Sequence, residues 1–124
     1  SIAKKNRAIQ TKLEKVISYT KQTMVAYMSE EDLNRLCTYV AEYSSGDTLQ
    51  KITPVKVDSQ LKSIDIMHFG WNIGKAFGIK RIHTATFIKN VFAHTLRDLE
   101  ISTIERKMSH TESECYIKLQ QLKE

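Results

Sequence analysis

The sequence has few of the residues that stabilise small secreted proteins or span membranes. Its two cysteines are too few for a disulfide framework, and the helical pattern around Cys37 predicts a buried reduced thiol, which favours a cytoplasmic location. The longest uncharged run, residues 66–74, is far shorter than the roughly 20 apolar residues of a membrane span, so we expect no membrane partner. The single proline, Pro54, is not tolerated inside a helix, so residues 47–58 are predicted to form an extended connection or a short edge strand.

Length and composition predict one ordinary globular domain. The 124 residues are enough for one hydrophobic core but not for two. A content of 41% apolar and 27% charged residues is typical of a folded chain rather than a disordered one. The net charge of +5 favours polyanionic partners. We therefore expect residues 1–124 to form a single, mainly α domain, a helical bundle with a basic surface.

Acidic residues are absent from the centre of the chain, residues 66–97. The same stretch contains the only tryptophan, all four phenylalanines and three of the four histidines. Its positive charges are Lys75, Lys80, Arg81, Lys89 and Arg97. An apolar, basic and acid-free segment of this kind predicts that the centre of the chain presents side chains to nucleic acid.

Hydrophobic spacing predicts two helices in the first 46 residues. Within residues 1–28, apolar side chains from residue 4 onward recur mostly at every third or fourth position, which predicts a long amphipathic helix. Its apolar stripe should pack on the domain or on a second copy, so a homodimer through residues 4–28 is one prediction. A second helix is predicted over residues 29–46, with Ser29 as its N-cap and Gly46 at its left-handed end.

The region 58–100 predicts two further helices joined by a tight turn. The first contains Gly70 and Gly74, and each glycine in a helix interior costs about 1 kcal/mol relative to alanine. These glycines therefore indicate either the close approach of a neighbouring helix or a break at Gly70. Gly78 is the predicted C-cap, and the second helix is predicted over residues 82–100.

The helix predicted over residues 82–100 has two different faces at about 100° per residue. One face is apolar and is expected to point towards the core. Every side chain on the opposite face can donate a hydrogen bond, and none is acidic. This donor face consists of His83, Thr86, Asn90, His94 and Arg97, with Lys89 on its flank.

Residues 73–87, IGKAFGIKRIHTATF, resemble the helix-turn-helix of many bacterial regulators. Gly74 corresponds to the small residue of the first helix, Gly78 to the glycine that opens the turn, and Phe87 to the apolar anchor of the second helix. Thr84 departs from the pattern, because the motif normally buries an aliphatic residue there. The resemblance covers about 20 residues around the turn.

The resemblance implies that the second helix lies in the major groove of duplex DNA. Lys80, Arg81 and Lys89 would then contact phosphates. His83, Thr86 and Asn90 would contact base edges, and asparagine is a residue type that pairs bidentately with adenine. The predicted nucleic-acid-binding set is completed by Lys75, His94 and Arg97.

The last segment, residues 101–124, is compatible with two structures. Capping-box spacings at 102–105 and 111–114 predict short helices. The alternation of apolar residues over 115–119 instead predicts a strand of a C-terminal β-hairpin. With an extended segment before the helices, a hairpin would give a winged-helix-like order.

No constellation of residues predicts catalysis. The histidines and cysteines lack the paired spacings of structural zinc sites, and no glycine-rich phosphate loop is present. We therefore expect a small DNA-binding or regulatory protein that is not an enzyme and needs no cofactor or metal. The alternative is a helical protein–protein interaction module in which Phe69, Trp71 and the glycine stripe, Gly70, Gly74 and Gly78, form the interface.

Overall fold

The computed structural model describes residues 1–47 and 51–123 of the chain. These residues form helices α1 Ile2–Met24, α2 Glu30–Ser44, α3 Ser63–Phe77, α4 Arg81–Val91 and α5 Ile101–Lys107. The predicted mainly helical class is confirmed, and no strand occurs in the two described ranges. Within the same ranges, no helix is long and apolar enough to cross a membrane.

Helix α1 is packed on the domain along only half of its length. Its buried side chains are Val16, Tyr19, Thr20 and Met24, whereas residues 1–11 are all exposed. The helix ends at Met24 rather than at the predicted residue 28. The chain turns after Met24, and the Tyr27 carbonyl accepts a hydrogen bond from the Asp58 N–H at 2.7 Å. Ser29 then serves as the N-cap of α2.

Helix α2 has the boundaries that its sequence predicts. The Ser29 hydroxyl accepts a hydrogen bond from the Asp32 N–H at 3.1 Å, which satisfies one of the unpaired amides of the first turn. Gly46, with φ of 81°, has the left-handed conformation expected just beyond the end. Arg35 donates to the Pro54 carbonyl at 2.9 Å and so fixes the extended segment after residue 50 against α2. Residues 48–50 of the predicted connection lie outside the described ranges.

Helices α3 and α4 pack through the two interior glycines of α3. A Cβ atom on Gly74 would lie 2.5 Å from the Thr84 Oγ1, and one on Gly70 would lie 2.9 Å from two side-chain carbons of Ile88. The glycines thus serve close helix approach, which was one of the two predicted alternatives, and α3 has no break at Gly70. Gly78, with φ of 71°, ends α3 as predicted.

Aromatic side chains fill the core between the helices. Tyr43 from α2 stacks on Phe87 of α4 with ring centroids 4.3 Å apart. Phe69 from α3 stacks on Tyr19 of α1 at 5.9 Å and meets Phe92 edge-on at 6.0 Å. These pairs join α2 to α4, α1 to α3, and α3 to the residue that follows α4, and buried aromatic rings contribute much of the contact area in a small core.

The prediction of one helix over residues 82–100 is wrong. Helix α4 ends at Val91, since the Val91 carbonyl accepts a hydrogen bond from the Val55 N–H at 2.9 Å. The chain then turns, which buries Leu96 completely and leaves Thr95 and Leu99 half-buried. A separate helix, α5, begins at Ile101.

The C-terminal segment contains one of the two predicted short helices, α5, and irregular chain in place of the second helix or a hairpin. Helix α5 takes Glu100 as its N-cap, so the capping-box spacing at 102–105 does not begin a helix, and the spacing at 111–114 lies in irregular chain. Residues 115–120 instead run along α3 and hydrogen-bond to its side chains. The half-buried alternation over 115–119 is present, because an extended segment needs no partner strand when it packs on a helix.

Candidate nucleic-acid interface

The solvent-facing side of α4 carries all three predicted base contacts together. His83 and Asn90 are exposed, and Thr86 between them is half-buried. The spacing of three and four residues places the three side chains on one helix face. Since the Thr86 hydroxyl donates to the Ile82 carbonyl at 2.9 Å, its oxygen remains able to accept.

Ile82 belongs to the same face, and sequence reasoning missed it. Its side chain is 40% exposed, one of the few large apolar groups at the surface. The apolar face of α4 is centred on Thr84, Phe87 and Ile88, all buried. The centre of this buried face is rotated about the helix axis from the centre of the predicted apolar face. Ile82 therefore points outward. Hydrophobic periodicity alone gives no signal for such a rotation.

Two cations lie at the start of α4, and only one of them has side-chain hydrogen bonds to the described part of the protein. Lys80 is exposed at the N-cap, and the first turn holds no acidic residue. Arg81 is half-buried and donates to the Ser109 hydroxyl at 3.1 Å and to the Glu105 carbonyl. Of the two predicted phosphate contacts at this end of α4, Lys80 is therefore available to a ligand, whereas Arg81 joins α4 to the end of α5.

Two further cations lie near this turn that were not in the predicted set. Arg106 and Lys107 are exposed in the last turn of α5. The bonds of Arg81 to Glu105 and Ser109 bring this end of α5 beside the N-terminal end of α4. Lys80, Arg106 and Lys107, here called the basic cluster, are exposed cations at these two neighbouring helix ends. The α4 end is a helix N-terminus, where partial positive charge favours anions. The sequence alone does not reveal the basic cluster, because the cluster depends on the tertiary contact between α4 and α5.

Lys89 has a structural role in place of the predicted phosphate contact. Its Nζ donates to the Leu96 carbonyl at 2.8 Å and to the Arg97 carbonyl at 3.3 Å. The ammonium group thereby satisfies backbone acceptors in the turn that follows α4. The Lys89 ammonium group is therefore already hydrogen-bonded within the protein.

His94 and Arg97 are exposed but do not extend the face of α4. Both lie in the turn after the helix, and the Arg97 Nη1 donates to the His94 carbonyl at 2.9 Å. Acidic side chains begin immediately afterwards at Asp98 and Glu100, both exposed. This end of the surface is therefore less suited to a polyanion than the end at Lys80.

Lys75 lies on α3, apart from the donor face. It is exposed in the last turn, with its Nζ 5.8 Å from the centroid of the Trp71 ring. This distance is within the range of a cation–π contact, which leaves the ammonium in water.

Thr84 is buried at the position where the resembling motif has an aliphatic residue. Its hydroxyl lies 2.6 Å from the Tyr43 hydroxyl, and its side chain is 1% exposed. The buried polar group is satisfied, so threonine is accommodated there. Burial, partly opposed by the bond to Thr84, raises the pKa of Tyr43 to about 12, which keeps the phenol neutral.

Two predictions about other residues need correction. Phe69 is completely buried and α4 covers Gly70 and Gly74 of the glycine stripe, so these residues cannot form the protein–protein interface predicted with Trp71, which is half-buried. Cys37 is half-buried rather than buried. Burial raises the pKa of the Cys37 thiol, and the nearby charge of Lys21 opposes that shift. A raised pKa lowers the fraction of thiolate, which is the nucleophilic form of cysteine.

Comparison with known proteins assigns no relative to the chain. No family model matches it, and no curated protein or solved structure does so either. In the described ranges, no group of three or more histidine, cysteine or acidic side chains is placed to hold a metal ion. A function for this chain must therefore be inferred from the geometry of the α4 surface.

Proposed function

We propose that the protein binds duplex DNA through the exposed face of α4, without catalysing a reaction. The observation that carries this proposal is the exposure of His83 and Asn90 on one acid-free helix face, with Lys80 at the helix N-terminus. Covering these side chains with another segment would have removed the surface. They are open to solvent instead.

The dimensions and chemistry of this face suit the major groove. An α-helix with its side chains fits a groove about 12 Å wide. Asn90 can pair with adenine, His83 can donate to an acceptor on a base edge, and Ile82 can contact a thymine methyl group. The helix N-terminus would point towards the phosphates that the basic cluster contacts.

The basic cluster sets the expected salt dependence. Neutralising one phosphate releases counterions and contributes about −0.9 to the slope of log K against log salt. Contacts from Lys80, Arg106 and Lys107 therefore predict a slope of about −3, rounded from three such terms. Binding that depends on so few phosphates should be weak and measurable mainly at low salt.

Fluorescence anisotropy with a labelled random duplex over a range of salt concentrations tests the proposal. Lys80→Gln should weaken binding to every duplex and make the slope less steep by about 0.9. Lys118→Gln is the matched control, because Lys118 is also exposed but its segment lies on the side of α3 opposite to α4. Absence of binding at low salt would contradict the proposal, as would equal effects of the two variants.

The projecting half of α1 supports a second proposal, self-association of the chain. Ile2 is 80% exposed and Ile9 is 59% exposed, although both continue the stripe that Val16 and Met24 bury further along the helix. An isolated amphipathic helix gains little stability without a packed apolar face. A second copy in antiparallel orientation would cover the stripe and keep the positive charges near residues 4–7 at opposite ends.

Analytical ultracentrifugation with paired variants tests self-association. Ile9→Glu places a charge on the stripe, whereas Thr11→Glu places the same charge about 160° away on the helix. Only Ile9→Glu should shift the equilibrium to monomer. If the wild-type chain is monomeric at all concentrations, or if both variants act alike, this second proposal is wrong.

A further inference from the structure

Three buried polar side chains on α3 hold the C-terminal segment by its backbone. Asp65, His68 and Asn72 are each 1% exposed or less, and their spacing places them on one face of the helix. Their partners in residues 110–120 are main-chain amides and carbonyls. This polar row attaches the segment to the domain.

The hydrogen-bond roles of two members are fixed by chemistry. The Asp65 Oδ1 accepts from the N–H groups of Tyr116 at 2.7 Å and Ile117 at 3.0 Å. The Asn72 side chain donates to the Lys118 carbonyl at 2.9 Å and accepts from the Gln120 N–H at 2.8 Å. Each atom has a partner of the complementary kind.

His68 faces two acceptors. Its Nδ1 lies 2.7 Å from the Ile117 carbonyl oxygen, and its Nε2 lies 2.6 Å from the His110 carbonyl oxygen. A neutral imidazole has one N–H donor and one bare nitrogen. A neutral ring would therefore point a lone pair at a carbonyl oxygen, and only the imidazolium can donate to both.

We propose that His68 is a buried imidazolium, and that loss of its proton loosens the C-terminal segment from α3. The ring then keeps one of its two hydrogen bonds and places a lone pair against the other carbonyl. The segment from His110 to Gln120 thereby changes from a state held on α3 by both His68 hydrogen bonds to a state held by one of them. This proposal does not depend on DNA binding.

The surroundings contain a charge that complements a buried imidazolium. Asp65 lies one turn earlier on α3, and one residue bridges the two side chains, because the Ile117 N–H donates to Asp65 while its carbonyl accepts from His68. A buried cation is tolerated where an opposite charge and full hydrogen bonding accompany it.

The other ionisable groups on the packed elements are placed differently. The C-terminal segment contributes His110, Glu112, Glu114, Cys115, Tyr116 and Lys118, of which all but the half-buried Cys115 are exposed. Helix α1 contributes Tyr19, whose hydroxyl is bonded to Asn72 and not to His68. Lys62, at the start of α3, points its ammonium at the Ser59 carbonyl. Asp65 is thus the buried ionisable partner in this row.

Nuclear magnetic resonance of the ¹⁵N-labelled protein tests the protonation directly. At about pH 5, where exposed histidines are charged, His68 should show a proton on both ring nitrogens. Amide exchange of Tyr116, Ile117 and Gln120 is then followed to about pH 9, as protection relative to an unstructured peptide at each pH. Protection should fall by about ten- to a hundredfold in step with loss of the His68 proton, the equivalent of one hydrogen bond to a charged group.

Two variants separate the switch from general loosening. His68→Gln should remove the pH dependence of protection, and Asn72→Ala should lower protection at every pH while the dependence on His68 remains. If His68→Gln does not fold, the wild-type ring signals still decide. A His68 ring with one bare nitrogen at about pH 5 would overturn the proposal. Protection that does not follow the His68 titration would overturn it equally.

Discussion

The hydroxyl oxygens of Tyr43 and Thr84 lie 2.6 Å apart inside the domain, and this bond joins α2 to α4. It is made where α4 passes closest to α3, since a Cβ on Gly74 would come within 2.5 Å of the Thr84 Oγ1. Together these contacts fix the rotation of α4 about its axis. That rotation determines that His83 and Asn90 face solvent.

Tyr43→Phe should lower the free energy of unfolding by about 1 kcal/mol, because the Thr84 hydroxyl loses a buried partner. Chemical denaturation measures this loss. Tyr39→Phe is the matched control, since the Tyr39 hydroxyl bonds the Thr53 backbone in a half-exposed position. A smaller effect of Tyr43→Phe than of Tyr39→Phe would contradict the importance of the buried bond.

The same tyrosine gives stability a pH dependence. Burial raises the pKa of Tyr43 from 10.0 to about 12, so the folded state holds this proton more tightly than the unfolded chain does. Its contribution is complete below about pH 10 and is lost as the pH rises through about 12. It amounts to about 2–3 kcal/mol, because one pKa unit corresponds to about 1.4 kcal/mol.

Unfolding of the wild type and of Tyr43→Phe at about pH 8 and about pH 11 measures this dependence. The wild type should lose more stability over that interval than the variant, which has no phenol to ionise at this position. An equal loss in both proteins would show that Tyr43 does not titrate as the structure implies.

Gly74→Ala should destabilise the fold by about 1–3 kcal/mol, because the new methyl group would overlap the buried Thr84 side chain and separate α3 from α4. Gly46→Ala provides the comparison. Its Cβ would meet nothing within 4 Å, so it tests the cost of a left-handed φ of 81° alone, about 1 kcal/mol. Thermal unfolding should show a larger loss of stability for Gly74→Ala than for Gly46→Ala. The opposite order would contradict close packing at Gly74.

Lys89 and Lys80 should differ in what their loss affects. Lys89→Ala removes the donor for the Leu96 and Arg97 carbonyls and should cost about 1–2 kcal/mol of stability. Lys80→Ala alters an exposed side chain and should change stability by no more than about 0.5 kcal/mol. Calorimetry on the two variants distinguishes them. Two equal losses of stability would contradict the separate roles given to these lysines.

Asn90→Ala should relax base preference. If Asn90 pairs with a base edge, the variant loses about 1–3 kcal/mol of discrimination at one position of the site while its non-specific binding is kept. Selection of bound duplexes from a random pool measures the preference of each protein. Asn34→Ala, an exposed asparagine on α2, should select the same duplexes as the wild type. Unchanged selection by Asn90→Ala would remove Asn90 from the site.

The sequence predicted features that depend on local chemistry. Ser29 as a cap, the left-handed Gly46 and Gly78, and the mainly helical class are all confirmed, because capping and backbone conformation are decided within a few residues. The conformation of residues 92–100 depends on a contact with a distant part of the chain. The Val91 carbonyl bonds Val55, which is distant in sequence, and no helical periodicity encodes that contact.

The candidate site shows the same division. The exposure of His83 and Asn90 could be predicted from helical spacing, since both lie opposite the apolar face. The engagement of Arg81 and Lys89 could not, because their acceptors are backbone carbonyls of later turns. Charge alone does not reveal whether a cation is already bonded within the protein.

Amide chemical-shift mapping during titration with a short duplex at low salt tests the DNA-binding surface most directly. We predict that the largest shifts fall on residues 80–90 and on Arg106 and Lys107, and that added salt reverses them. Residues 115–120, on the opposite side of α3, should be unchanged. Shifts centred on α1 or on the C-terminal segment, or no shifts at all, would contradict the assignment of α4 as the surface that meets DNA.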